Sequence, residues 1–150
     1  MILTFYHQSE FWFNKLRLLH PAASLASRLY IAKVFLTAGL LKIKDWETTL
    51  FLFEEEYQVP VLSPLVAAYL GTIGELLFPI LLIAGFATRF AALGLFIVNW
   101  VAVIALPDMP TAALYLHIIW ALLIAHSAIY GAGFISVDRW LTHRRFNHQQ

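Results

Sequence analysis

Glu75 stands inside "GTIGELLFPILLIAG", residues 71–85, with no other charged residue in the run. A carboxyl group in so apolar a segment either takes up a proton or finds a base, because no water is at hand to solvate its charge. Lys33 and Asn99 lie in two other long apolar runs. Counted at about 1.5 Å per residue from a common side of the membrane, Lys33 is about 14 Å deep, Glu75 about 15 Å and Asn99 about 17 Å. Ionisable side chains at such depth are costly, so they face the interior and pair there. The spacing therefore predicts an intramembrane polar cluster of Lys33, Glu75 and Asn99. Lys33 is the expected partner of Glu75, with Asn99 bridging or close by. Arg28, about 6 Å deep, is the other base that could reach Glu75 if its side chain turned inward. Such a cluster can relay a proton, hold a small substrate, or do no more than fix helix register.

His117 and His126 share the run 111–130. They fall about 180° apart at about 100° per residue, so one centre cannot take both as ligands. His126 and His20 could each offer one ligand to a haem from different helices, but the stronger expectation is that no metal is held. For His117, a hydrogen bond to a neighbouring carbonyl or water competes with a role as ligand partner or proton relay, such as a bond to a quinone carbonyl. Trp100, Tyr115 and Trp120 read as packing and interface residues rather than a stacking box. The triplet Glu54–Glu56 reads as a solvated face rather than a cation site. No P-loop, G-x-G-x-x-G, H-E-x-x-H, C-x-x-C or G-x-S-x-G occurs, which leaves nucleotide, zinc-protease and serine-hydrolase chemistry without support.

These residues need helices in lipid to position them. The chain has 150 residues, 61% hydrophobic and 13% charged, with a mean hydropathy of +0.73. Soluble domains are nearer about 45–50% apolar and about 25% charged. Net charge is +1 and no Lys/Arg cluster is present, so nucleic acid is not an expected partner. Cysteine is absent, which removes disulfides, thiolate metal sites and thiol redox chemistry from this chain. Four runs, Ser24–Ile43, Pro64–Gly85, Thr88–Leu106 and Thr111–Tyr130, are long enough to cross about 30 Å of hydrocarbon. Pro79 should kink the second and free a carbonyl near Glu75. Lys15, Arg17, Arg28, Arg89, Arg139, Arg144 and Arg145 fall on one side, and Lys42 and Lys44 on the other. The excess of basic residues predicts cytoplasmic termini. Residues 1–23 read as an amphipathic segment at the headgroups, 24–141 as the membrane domain, and 142–150 as a cytoplasmic tail. Within 44–64, Trp46, Leu50, Phe53 and Tyr57 share one helical face, as expected of an outer interfacial helix. The small residues Ala67, Gly71 and Gly74, and Ala121, Ala125 and Ala128, favour close helix packing. A single bundle is the default expectation, which leaves room for an oligomer.

Three stretches carry a resemblance: "RLYIAKVFLTAGLLKI" with Arg28, Gly39 and Lys42; "GELLFPILLIAGFATR" with Glu75, Gly85, Thr88 and Arg89; and "GAGFISVDRW" with Asp138. In this order they resemble the DoxX family of small bacterial membrane proteins, over about residues 24–141. The resemblance implies an all-α four-helix bundle in the bacterial inner membrane. It makes Arg28, Arg89 and Asp138 a motif of the cytoplasmic face. It also implies a loose redox link, because the family takes its name from a subunit similar to those of a thiosulfate:quinone oxidoreductase. Lys33 departs from the family pattern, which has an apolar residue there.

The expected fold is thus an all-α integral membrane bundle with an N-terminal amphipathic helix and an outer interfacial helix. The expected function is a redox-linked accessory subunit that meets a quinone, or a membrane or peripheral quinone-reducing partner. No residue type here stores an electron unaided, so a complete oxidoreductase is not expected of the chain alone. A small proton or substrate module built on the midplane cluster, and a structural anchor for a partner enzyme, are the alternatives. Asp138 is expected to pair with Arg28 or Arg89 near the headgroups.

Overall fold

A computed structural model describes residues 19–133 and 136–147. The expected amphipathic segment at 1–23 lies mostly outside the described residues. Six helices follow one another: α1 (His20–Lys44), α2 (Trp46–Glu55), α3 (Pro64–Ala84), α4 (Thr88–Ala105), α5 (Thr111–Tyr130) and α6 (Val137–Asn147). No strand occurs among the described residues. Four helices, α1, α3, α4 and α5, are long and apolar enough to cross a membrane, as the four apolar runs led us to expect.

Local chemistry sets the helix ends. Pro21 and Pro64 stand in the first turns of α1 and α3, where the missing N–H has no helical partner to lose. Asp45 separates α1 from α2; its carboxylate accepts hydrogen bonds from the Thr48 backbone N–H at 3.0 Å and the Thr48 hydroxyl at 2.8 Å. Those bonds hold the Asp45 carboxyl below its ordinary range. Gly85 ends α3 with φ 65° and ψ 37°, a left-handed conformation that costs a residue with a Cβ dearly. The helix α3 runs unbroken through the buried Pro79. Pro79 has no N–H to offer the Glu75 carbonyl.

The spans close in a ring: α1 packs on α3, α3 on α4, α4 on α5, and α5 back on α1. Ile31, Ala32, Phe35, Leu82, Ala91, Ala92, Leu95 and Ile124 fill its centre. Gly39 on α1 lies so close to α3 that an added Cβ would stand 2.9 Å from Leu76 and 3.1 Å from the Cβ of Glu75. This close approach sets the register of α1 on α3. Leu93, Ile97, Trp100 and Leu122 are among many large apolar side chains left on the outer surface. Such a surface suits lipid.

Helix α2, the expected interfacial helix, packs on α1 and α3 instead of standing off in solvent. Phe53 is buried with Ala67 and Ala68, and Trp46, Leu50, Tyr57 and Val59 pack around them. Trp46 meets Tyr69 at 4.8 Å and Phe53 meets Tyr57 edge-on at 5.0 Å. Glu54, Glu55 and Glu56 are exposed, on the side away from this aromatic face. The following loop is pinned to the end of α4 by a 2.7 Å hydrogen bond from Gln58 N–H to the Ala105 carbonyl.

Candidate functional site

Under α2 and its loop lies a cavity of about 360 Å³. Its walls are largely apolar: Val59 and Leu62 from the loop, Leu70 from α3, and Ile97, Val98 and Val101 from α4. Lys42, Tyr57, Glu75 and His117 supply the polar groups. Leu70 and Ile97 are also 54% and 63% exposed on the outer surface. One edge of the cavity therefore meets lipid between α3 and α4.

The Glu75 side chain is buried, and its two oxygens accept hydrogen bonds from Lys42 Nζ at 2.8 and 2.6 Å. An ammonium has three N–H donors, so this grip leaves Lys42 one more. The base that sequence depth assigned to Glu75 is therefore the wrong lysine. Lys33 is exposed and takes no part in the cluster. Two physical facts explain the error. Lys33 and Lys42 sit about 180° apart around α1 at about 100° per residue, so only one of them can face α3. Depths measured along each helix also assumed level ends, whereas the contact of Gly39 with Glu75 slides α3 toward the Lys42 end. Lys42, one turn beyond Gly39, then reaches back to the carboxylate along its flexible stem.

Asn99 is buried as expected but pairs elsewhere. Its side-chain N–H donates to the His117 carbonyl at 3.1 Å, and its oxygen lies 2.8 Å from His117 Nδ1. With the amide nitrogen fixed as donor, His117 Nδ1 must carry the proton, which leaves Nε2 as an acceptor in the neutral ring. Trp120 packs edge-on against the same imidazole at 4.8 Å. The expected single cluster is thus two pairs, Lys42–Glu75 and Asn99–His117, beside one cavity. Tyr57 adds a phenol whose pKa is pushed up by burial first and then by the charges of Glu56 and Glu75. It stays a protonated donor at neutral pH. His126 is apart from this site; it stacks on Tyr130 at 4.8 Å. No group of acidic or histidine residues among the described residues could hold a metal ion.

The other end of the bundle is an interlock. Arg28 is 2% exposed and donates to the Ala132 carbonyl, instead of snorkelling to lipid phosphate or turning to Glu75. Asp138 accepts from the backbone N–H groups of Ala87 at 2.7 Å and Thr88 at 3.0 Å, while its own N–H donates to the Gly85 carbonyl at 2.9 Å. It also acts electrostatically on Arg28. Asp138 therefore caps α4 from a distant segment of the chain, and the buried Thr88 hydroxyl makes no hydrogen bond. Arg89 is exposed and no hydrogen bond joins it to Asp138. Ser136 starts α6, its hydroxyl accepting from Arg139 N–H at 3.2 Å. Gly131 and Gly133 make the turn before it at φ 74° and 72°.

The interlocked turn and the mid-span carboxylate are the features on which the sequence resembled a known family, and a family model described as DoxX matches residues 23–108. The chain belongs to the DoxX family. No curated protein and no solved structure matches it. The DoxX match takes in α1 to α4, and hence Arg28, Lys42, Glu75, Arg89 and Asn99. Helix α5 with His117 and His126, and the Asp138 segment, lie beyond it. Lys42 is the residue that sequence reasoning missed. Gly39 was its signal: a glycine on a membrane helix marks close approach, and the base one turn away from it is the one placed to reach across.

Proposed function

We propose that this DoxX-family membrane protein is a redox-linked accessory subunit whose cavity takes the head group of a membrane quinone. The observation that carries this reading is the cavity itself: apolar walls, an edge on lipid, and polar groups gathered at one place. Its volume, about 360 Å³, is at the small end of the range for ligand sites and suits a single substituted ring. A quinone would supply the electron chemistry. The third N–H of Lys42 and the phenol of Tyr57 can donate to a quinone oxygen, and His117 Nε2 can accept from the hydroxyl of the reduced form. This revises the role foreseen for His117, since its donor nitrogen is already engaged by Asn99. A quinone-reducing enzyme, in the membrane or docked on it, would be the electron partner.

The test is titration of purified protein in nanodiscs with a short-chain quinone. Binding should weaken about tenfold or more when both Lys42→Met and Glu75→Gln are introduced, since a head group that loses its charged donor loses about 1.5–3 kcal/mol. Unchanged binding in that variant, or none in the parent, overturns the reading. A proton module remains the alternative, favoured by the buried Lys42–Glu75 pair. It predicts acid uptake by loaded vesicles without any quinone.

We further propose a bacterial inner-membrane location with cytoplasmic termini. The support is the excess of Lys15, Arg17, Arg28, Arg89, Arg139, Arg144 and Arg145 on one side over Lys42 and Lys44 on the other. Cysteines placed at Glu55 and Thr142 should then label from opposite sides, with Thr142 cytoplasmic; labelling from one side contradicts it.

A further inference from the structure

Lys33 has no place in either site. It lies near the middle of the span Pro21–Lys44, roughly 17 Å from either end at about 1.5 Å per residue. Its side chain is exposed on the outer surface. Snorkelling moves an ammonium by no more than its own short stem, which does not bring it to a headgroup layer from there. An ammonium left in hydrocarbon is costly, and membrane proteins retain one only against a partner. No hydrogen bond or ion pair joins Lys33 to another side chain among the described residues. Glu75 is the sole carboxyl group in the four spans, and Lys42 holds both its oxygens. A second copy of the chain therefore has no free mid-membrane acid to offer.

The surroundings of Lys33 look like a surface made to meet a helix. Ala26, Tyr30, Thr37 and Leu40 recur with it at intervals of three and four, which is one helix face, and all are exposed. Ala26 and Thr37 are small enough to let another backbone approach. Tyr30 is anchored to α5, its hydroxyl accepting from Trp120 Nε1 at 3.4 Å. The face thus offers a rigid phenol, an ammonium and a hydroxyl in a row, where a purely lipid-facing helix needs none of them.

We propose that this face of α1 docks a transmembrane helix of a different membrane protein, one that presents a carboxylate at mid-bilayer depth opposite Lys33. The face points away from the Lys42 side of α1, so the proposal stands or falls apart from what fills the cavity.

Photocrosslinking in membranes of the native host tests it, with benzoylphenylalanine at Ala26 or Thr37 of the full chain and at Leu122 as control. The expected adduct, from positions 26 and 37 only, is to another protein through a transmembrane segment containing Asp or Glu. Its yield should fall about tenfold with Lys33→Met, hold with Lys33→Arg, and return when Lys33→Glu is combined with a lysine at the partner's acid. Lys33→Met should leave the melting temperature of the purified bundle unchanged. Adducts only to lipid, only to a second copy, or to a segment without an acid overturn the proposal. So does an adduct indifferent to Lys33→Met, or a bundle that Lys33→Met itself destabilises.

Discussion

The two ends of this bundle solve opposite problems with the same kinds of residue. At the α6 end, Arg28 and Asp138 direct their charges at backbone groups: a carbonyl at Ala132, and N–H groups at Ala87 and Thr88. A Cβ at Gly85 would come within 2.7 Å of Ser136. At the α2 end, Lys42 and Glu75 direct their charges at each other beside about 360 Å³ of space. Backbone-directed charge closes a structure, because a peptide group cannot move off to admit another partner. Charge held between two side chains can be shared with a third group at little geometric cost. The comparison teaches that the α6 end is tied by side chain to backbone, whereas the α2 end keeps a side-chain ion pair beside open space.

The largest effect that could break this contrast comes from the ion pair. Lys42→Met alone strands a buried carboxylate, at about 2–3 kcal/mol, less than for a wholly buried pair because Lys42 keeps some exposure. Adding Glu75→Gln should return most of that loss. Equilibrium unfolding of the two singles and the double measures it; simple additivity would mean that the pair does not couple. Next in size, Asp138→Ala removes two bonds to the start of α4 and should cost about 2 kcal/mol. It should leave quinone binding at the far end unchanged, and a loss of binding on the same scale would erase the distinction between the ends.

How far the sequence disclosed this arrangement differs by scale. Length and hydropathy placed the ends of the four spans within a residue, save the start of the first, which lies at His20 and not Ser24, because lipid demands long apolar runs and proline marks their ends. The aromatic face of Trp46, Leu50, Phe53 and Tyr57 disclosed α2 for the same reason, as burial on one side imposes helical spacing. The pairing of Glu75 was not legible from depth alone. It depends on how α1 slides against α3, which the contact at Gly39 decides, and on a face of α1 that a count of residues does not weigh. Capping of α4 by Asp138 was equally hidden, since the two lie about fifty positions apart and nothing local links them.

A smaller effect sharpens the α2 end. The Asp45 carboxyl is held below its ordinary value by the Thr48 N–H and hydroxyl. A group with a depressed folded pKa stabilises above its unfolded value, and that contribution is lost as pH falls through the folded one. Below about pH 4, the protection of α2 amides relative to their intrinsic exchange should therefore fall while that of α4 amides does not. An equal fall in both helices would show that α2 is not held by its cap.

The central claim is that the α2-end cavity receives a quinone head group. Photolabelling with an azido-quinone, followed by peptide mapping, tests it most directly. Our account predicts labels on the cavity-lining residues Tyr57, Val98 or Met109, lost when excess unlabelled quinone is present. Labels confined to the α6 end, or spread over the lipid-facing surface without competition, would contradict it.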